Sequence, residues 1–177
     1  MNYNELARQL HEAAVKKGFW GVEDAVKKHV VKMLSELGEV VQADRAGVMY
    51  EIEHEGAKPE GVAAELADFV MMALDYCAQA GIDVDDILSQ LTYTEFCEGV
   101  DEKISEMPAH RLVFIMNYAL AYLTNDDVII DRSAAVYIIC YSVRRWLELR
   151  GYDLWEIIRL KMEYNQKSRA YLHGRKY

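Results

Sequence analysis

The chain has little of what interrupts a helical protein. Two prolines, Pro59 and Pro108, and ten glycines are spread over 177 residues, so a helical phase can persist over long stretches. Three cysteines, Cys77, Cys97 and Cys140, are odd in number and lack any CxxC spacing. That excludes a disulfide framework, and buried thiols in a reducing compartment are expected. There is no glycine-rich phosphate loop, no Ser-His-Asp order and no zinc-ligand spacing, which sets aside P-loop, serine-hydrolase and zincin chemistry. No apolar run approaches the roughly 18 residues that span a bilayer. The opening MNYNELARQLHE is polar and amphipathic, so neither a membrane segment nor a secretory signal is expected. Basic charge is also in short supply: 20 Lys and Arg stand against 29 Asp and Glu, a net charge of −9. This disfavours nucleic-acid polymers and anionic membrane surfaces as partners. The expectation is a cytoplasmic protein forming a single compact all-α domain over residues 1–177, long enough to bury a core.

What is present is helical periodicity. A first helix is expected over Tyr3 to Lys17, with Leu6, Leu10, Ala13 and Ala14 facing inward and Gly18 as its stop. Phe19, Trp20 and Gly21 form an aromatic corner. A second helix runs from Val22 to Ala46 with Val30, Leu34, Leu37 and Val41 as its inner stripe. The pattern fails between Gly47 and Glu60, where a charged loop is expected. A third helix, Glu60 to Ala80, is apolar nearly all round and therefore central. Asp83 caps a fourth, DVDDILSQLTYTEF.

Two acidic pairs stand out in this frame. ELGE places Glu36 and Glu39 three apart beside the stripe of the second helix, and ELAD places Glu65 and Asp68 three apart in the third. Residues at i,i+3 share a helix face, so four carboxylates meet if the two helices pack side by side. Carboxylate oxygens suit Mg²⁺, with Mn²⁺ as a substitute. The plain alternative is a solvated acidic face, to which Glu36 and Glu39 are the more open. Glu65 and Asp68 resist it, because buried carboxylates without a partner are costly.

The second half repeats the first in hydrophobic phase. Aligning Gly151-Tyr152-Asp153 with Gly81-Ile82-Asp83 matches Ala134 to Leu160 with Ala64 to Gln90, and 112–123 with 31–42. A duplicated helical unit is expected, 1–95 carrying the acids and 108–177 a degenerate copy. Under this alignment Asn117, Leu120, Ala135 and Ile138 replace the four acids. The basic residues show the reverse asymmetry: Lys161, Asn165 and Arg169 at i,i+4,i+8 face Leu91, Glu95 and Gly99 in the first copy. They are candidates for phosphate oxygens, their alternative being a basic last turn that complements the helix dipole. Trp20 could stack on a nucleobase, although a Trp behind a helix-ending glycine more often plugs a core. His11 reads as structural or surface, His54 as part of the charged loop, and the methionines as packing.

The segments SELGE and ELAD together resemble the EExxE…ExxD signature of the MazG-like all-α NTP pyrophosphatase superfamily, which includes the dimeric dUTPases. HEAAVKKGFW near the start and KMEYNQKSRAYLHGRK at the end are similar to segments of small MazG-like proteins. The resemblance covers about residues 5–83 and 151–177. It implies a helical bundle that hydrolyses a nucleoside triphosphate between the α and β phosphates, releasing a monophosphate and pyrophosphate. Mg²⁺ would be held by Glu36, Glu39, Glu65 and Asp68, with Lys161, Asn165 and Arg169 near the phosphates. The first Glu of EExxE is Ser35 here. The rival expectation is a helical module that binds a nucleotide or a protein partner without turnover. The base is left open, and so is the oligomeric state: the duplication could replace dimerisation, or the chain could form a homodimer.

Overall fold

The computed structural model describes residues 2–90, 100–124 and 132–168. Arg169, Cys97 and the expected continuation of the fourth helix past Gln90 lie outside the described residues. The architecture is all-α. Helices α1 (Tyr3–Lys16), α2 (Ala25–Ala46), α3 (Val62–Gln79) and α4 (Val84–Gln90) form the first half. The second comprises α5 (Val100–Ser105), α6 (Ala109–Thr124), α7 (Arg132–Tyr137), α8 (Val143–Glu148) and α9 (Leu154–Ser168). A π-helical turn, Ile138–Ser142, joins α7 to α8. Among the described residues the extended structure is a single antiparallel bridge, Glu51 with Glu60, and no helix is long and apolar enough to cross a membrane.

Helix α3 is the central element, packed against α1, α2, α9 and the π-turn–α8 stretch. Its composition explains this: Leu66, Phe69, Val70, Ala73, Leu74 and Cys77 are buried on every side, so the helix needs neighbours all round. Its start is set by Gly61 at φ +96°, where a Cβ would lie 3.0 Å from backbone atoms of Met49 and Tyr50. The N–H groups of Val62 and Ala63 donate to the carbonyls of Val48 and Met49 at 3.0 and 2.9 Å. Loop backbone therefore does the work of a side-chain cap. The charged loop 47–61 is thus pinned at its neck, which fixes the first turn of α3 against α2.

Helices α1 and α4 cap one another. The Asp85 carboxylate accepts from the N–H groups of Tyr3 and Asn4, at 3.0 and 2.8 Å, while Asn4 Oδ1 accepts from the Val84 N–H at 2.9 Å. Orphan donors of both helix starts are satisfied reciprocally. The turn that ends α3 recurs after α8. Ile82 N–H donates to Cys77 O at 2.9 Å and Tyr152 N–H to Leu147 O at 3.0 Å, with Gly81 at φ +68° and Gly151 at φ +80°. Each is a left-handed helix stop of the Schellman kind.

Of the hydrophobic stripe expected on α2, Leu37 is buried and Val30 and Val41 pack against the core, while Leu34 is not part of it. His29, Met33, Leu37 and Val40 are the buried positions, and Leu34 is exposed. His29 is turned inward by a hydrogen bond to the Met72 carbonyl. Apolarity alone could not anticipate a polar residue on that face. Helix α2 also begins at Ala25 rather than Val22, since Asp24 takes a left-handed conformation (φ +57°) ahead of it.

Candidate functional site

Four helices line an open cavity of about 330 Å³, within the usual size range of ligand pockets. Each contributes one face at helical spacing. Helix α3 supplies Asp68, Met71, Met72 and Asp75, which is i,i+3,i+4,i+7; helix α2 supplies His29, Lys32 and Glu36, with Ser35 beside them. Opposite lie Leu10, Ala13, Ala14 and Lys17 of α1 and Met162, Asn165 and Gln166 of α9. The cavity therefore has a carboxylate at either end of its α3 wall and thioethers between.

At the Asp68 end, Glu36, Glu65 and Asp68 bring one carboxylate oxygen each to within 4.8 Å of one another. Glu65 is 5% exposed and sits in the first turn of α3, where the helix dipole favours an anion. Lys161 of α9 is 1% exposed, and its ammonium donates to Asp68 Oδ2 at 2.5 Å and to Glu65 Oε2 at 3.4 Å. Lys58, from the pinned loop, brings its Nζ to 3.9 Å from Glu65 Oε1. Burial raises the Glu36 carboxyl to about pH 7, and the negative charges of Asp68, Glu39 and Glu65 push in the same direction. Burial also raises Glu65, against the pull of Lys161.

At the other end, Asp75 is also 5% exposed but is surrounded by N–H donors. The Trp20 indole N–H donates to both carboxylate oxygens, at 2.9 and 3.1 Å, and His11 Nδ1 lies 2.8 Å from Oδ1. The rings of His11, Trp20 and His29 pack in series, with centroid separations of 5.6 and 4.8 Å.

Of the residues expected at the site, Glu36, Glu65 and Asp68 converge. Glu39 stands outside that trio, partly exposed, and acts on it through its charge. Asn165 lines the cavity. Lys161, expected beside phosphate, is held among the acids themselves, and Arg169 lies outside the described residues. Trp20 is buried behind the cavity wall with its N–H turned to Asp75; Phe19 is the aromatic residue of that corner that lines the cavity. Sequence reasoning sets Asp75 beside Glu65 and Asp68 on the third helix but gives no role to it, to His29 or to Lys58. The one signal for Asp75 was its position seven residues after Asp68, on the same face of an otherwise apolar helix.

No protein family, no curated protein and no solved structure matches the chain.

Proposed function

We propose that the chain is a Mg²⁺-dependent nucleotide pyrophosphohydrolase of the MazG-like type, built from two related helical units. It converts a nucleoside triphosphate and water to a monophosphate and pyrophosphate. The observation that carries this reading is the convergence of Glu36, Glu65 and Asp68 at one end of a cavity of ligand size.

The residues fit a hard divalent cation. Oxygens around octahedral Mg²⁺ at about 2.0–2.1 Å lie roughly 3–4 Å apart, so the trio, within 4.8 Å, needs only a small closure. Burial first, and then the negative charges of Asp68, Glu39 and Glu65, raise the Glu36 carboxyl despite Lys161. Glu36, Glu65 and Asp68 would hold the ion, with Glu39 adding to the local field. When bound, Mg²⁺ or Mn²⁺ would supply neutralisation and polarisation of phosphoryl oxygens. Lys161 would exchange its carboxylate partners for phosphate oxygens, a point charge placed where negative charge develops. Asn165 faces the same space and can donate to the phosphates. The apolar middle of the cavity receives the sugar and base.

A second reading, a nucleotide-binding module without turnover, is favoured by one observation: Ser35 lines the cavity where the family motif carries its first glutamate. Pyrophosphate release from a panel of dNTPs and NTPs with Mg²⁺ decides the main reading. Turnover of at least one, lost in Glu65→Gln, is expected. If no triphosphate turns over but a non-hydrolysable analogue with Mg²⁺ still raises the melting temperature, the second reading replaces the first.

A further inference from the structure

The end of the cavity remote from the acid trio presents two hydrogen-bond acceptors to each other. His29 Nε2 lies 2.8 Å from the Met72 carbonyl oxygen. A carbonyl only accepts, so the ring proton is on Nε2. Burial disfavours the imidazolium form of His29, and in the neutral ring Nδ1 is a bare acceptor. That Nδ1 is 3.7 Å from Asp75 Oδ2, too far for a hydrogen bond between them. Asp75 Oδ1 receives both His11 and Trp20, whereas Oδ2 receives only the longer branch of the Trp20 bond. A carboxylate oxygen offers about two lone-pair sites, so Oδ2 retains capacity. Both His29 and Asp75 line the cavity.

Two converging acceptors are complementary to one nitrogen that carries two hydrogens. We infer that this end of the cavity takes the exocyclic amino group of a nucleobase, so that the substrate is a nucleotide of cytosine, adenine or guanine rather than of uracil, thymine or hypoxanthine. This rests on the nucleotide reading above. The spacing agrees with it. Asp68 and Asp75 are seven residues apart on α3, about 10 Å of helix rise, comparable to the span from the phosphorus of a nucleotide to the amino edge of its base. Between them Met71 and Met72, with Met162 across the cavity, offer a polarisable apolar surface to a ring face. An exocyclic oxygen in place of the amino group would set a third acceptor against these two. A site built to hydrogen-bond one group rejects the analogue that lacks it, and leaving one buried polar group unpaired lowers affinity about 10- to 100-fold.

The test uses isosteric pairs on the wild-type protein. Isothermal titration with α,β-imido-dCTP and -dUTP, and with the dATP and dITP analogues, is carried out in Mg²⁺. The corresponding nucleoside monophosphates are titrated in chelator. The amino-bearing member of the pair that fits should bind about 10- to 100-fold more tightly in both settings, and Asp75→Asn should bring the pair close to parity. Equal affinities, or preference for the oxo member, would overturn the inference; because this comparison needs no variant, it stands even if Asp75→Asn fails to fold. Pyrophosphate release with equal efficiency from dCTP and dUTP, and from dATP and dITP, overturns the base preference and leaves the hydrolase reading intact. Amino preference without any pyrophosphate release does the opposite, and no binding of any analogue overturns both.

Discussion

Asp68 and Asp75 stand two turns apart on one helix and open into one cavity, yet their surroundings differ in kind. Asp75 is buried among N–H groups supplied by Trp20 and His11, from α1 and the corner that follows it. Asp68 is half-buried among other carboxylates, with the Lys161 ammonium drawn in between. The difference shows that burial alone does not define a reactive acid. Donors aimed at a carboxylate stabilise its charge in place, and such a group has little to gain from a cation. Crowded carboxylates gain more from a cation, which relieves their mutual repulsion.

The comparison can be broken most severely at Lys161. In metal-free buffer, Lys161→Met strands Glu65 and Asp68 and should cost about 3–5 kcal/mol of stability in urea unfolding. Millimolar Mn²⁺ should recover a large part of that loss. A deficit unchanged by Mn²⁺ would make Lys161 a structural residue and the acids no cation site.

Next in size is the pH response of Glu36. Its folded pKa, about 7, lies above the ordinary 4.5, so the folded state binds the proton more tightly than the unfolded state. Metal-free stability should therefore fall as pH rises from about 4.5 through about 7, by about 1–3 kcal/mol after allowance for partial exposure. Glu36→Gln should remove that slope, matching wild type near pH 4 and exceeding it above pH 7. Equal slopes in the two proteins would contradict a Glu36 carboxyl raised by burial and by its acidic neighbours.

At the Asp75 end, Trp20→Phe keeps the ring and deletes the donor. It should cost about 1–2 kcal/mol while leaving Mn²⁺ affinity unchanged, as calorimetry would show. A loss of Mn²⁺ affinity would mean that the two ends are one site. Smallest is Glu39→Gln. Removing one neighbouring negative charge, outside the trio, should lower the Glu36 midpoint by less than about one pH unit, measurable by NMR titration of the side-chain carboxyl.

The fold was legible in the sequence where periodicity carries it. Helix α3 was readable as central because it is apolar nearly all round, and the start of the fourth helix because Asp83 can cap it, with Gly151-Tyr152-Asp153 matching Gly81-Ile82-Asp83 in the second half. The acid pairs were legible for the same reason, since i,i+3 spacing fixes a shared face without reference to anything else. What depends on packing between distant segments was not. Asp75 meets Trp20 and His11 only after α1 folds across α3, and Lys161 reaches Asp68 only because α9 docks there. The π-turn at Ile138–Ser142 also escapes a reading based on a fixed period of 3.6 residues, because its wider turn slips the helical phase. On α2 the sequence reading placed Leu37 inside but missed His29, a polar residue that reaches the Met72 carbonyl.

The central claim is that one end of the cavity is a cation site and the other is not. Direct titration of Mn²⁺, with the free ion followed by its electron paramagnetic resonance signal, separates the ends. Wild-type protein and Trp20→Phe should bind Mn²⁺ alike, while Glu65→Gln with Asp68→Asn should abolish binding. Mn²⁺ uptake that survives loss of both carboxylates, or no uptake by the wild-type protein, would contradict the account.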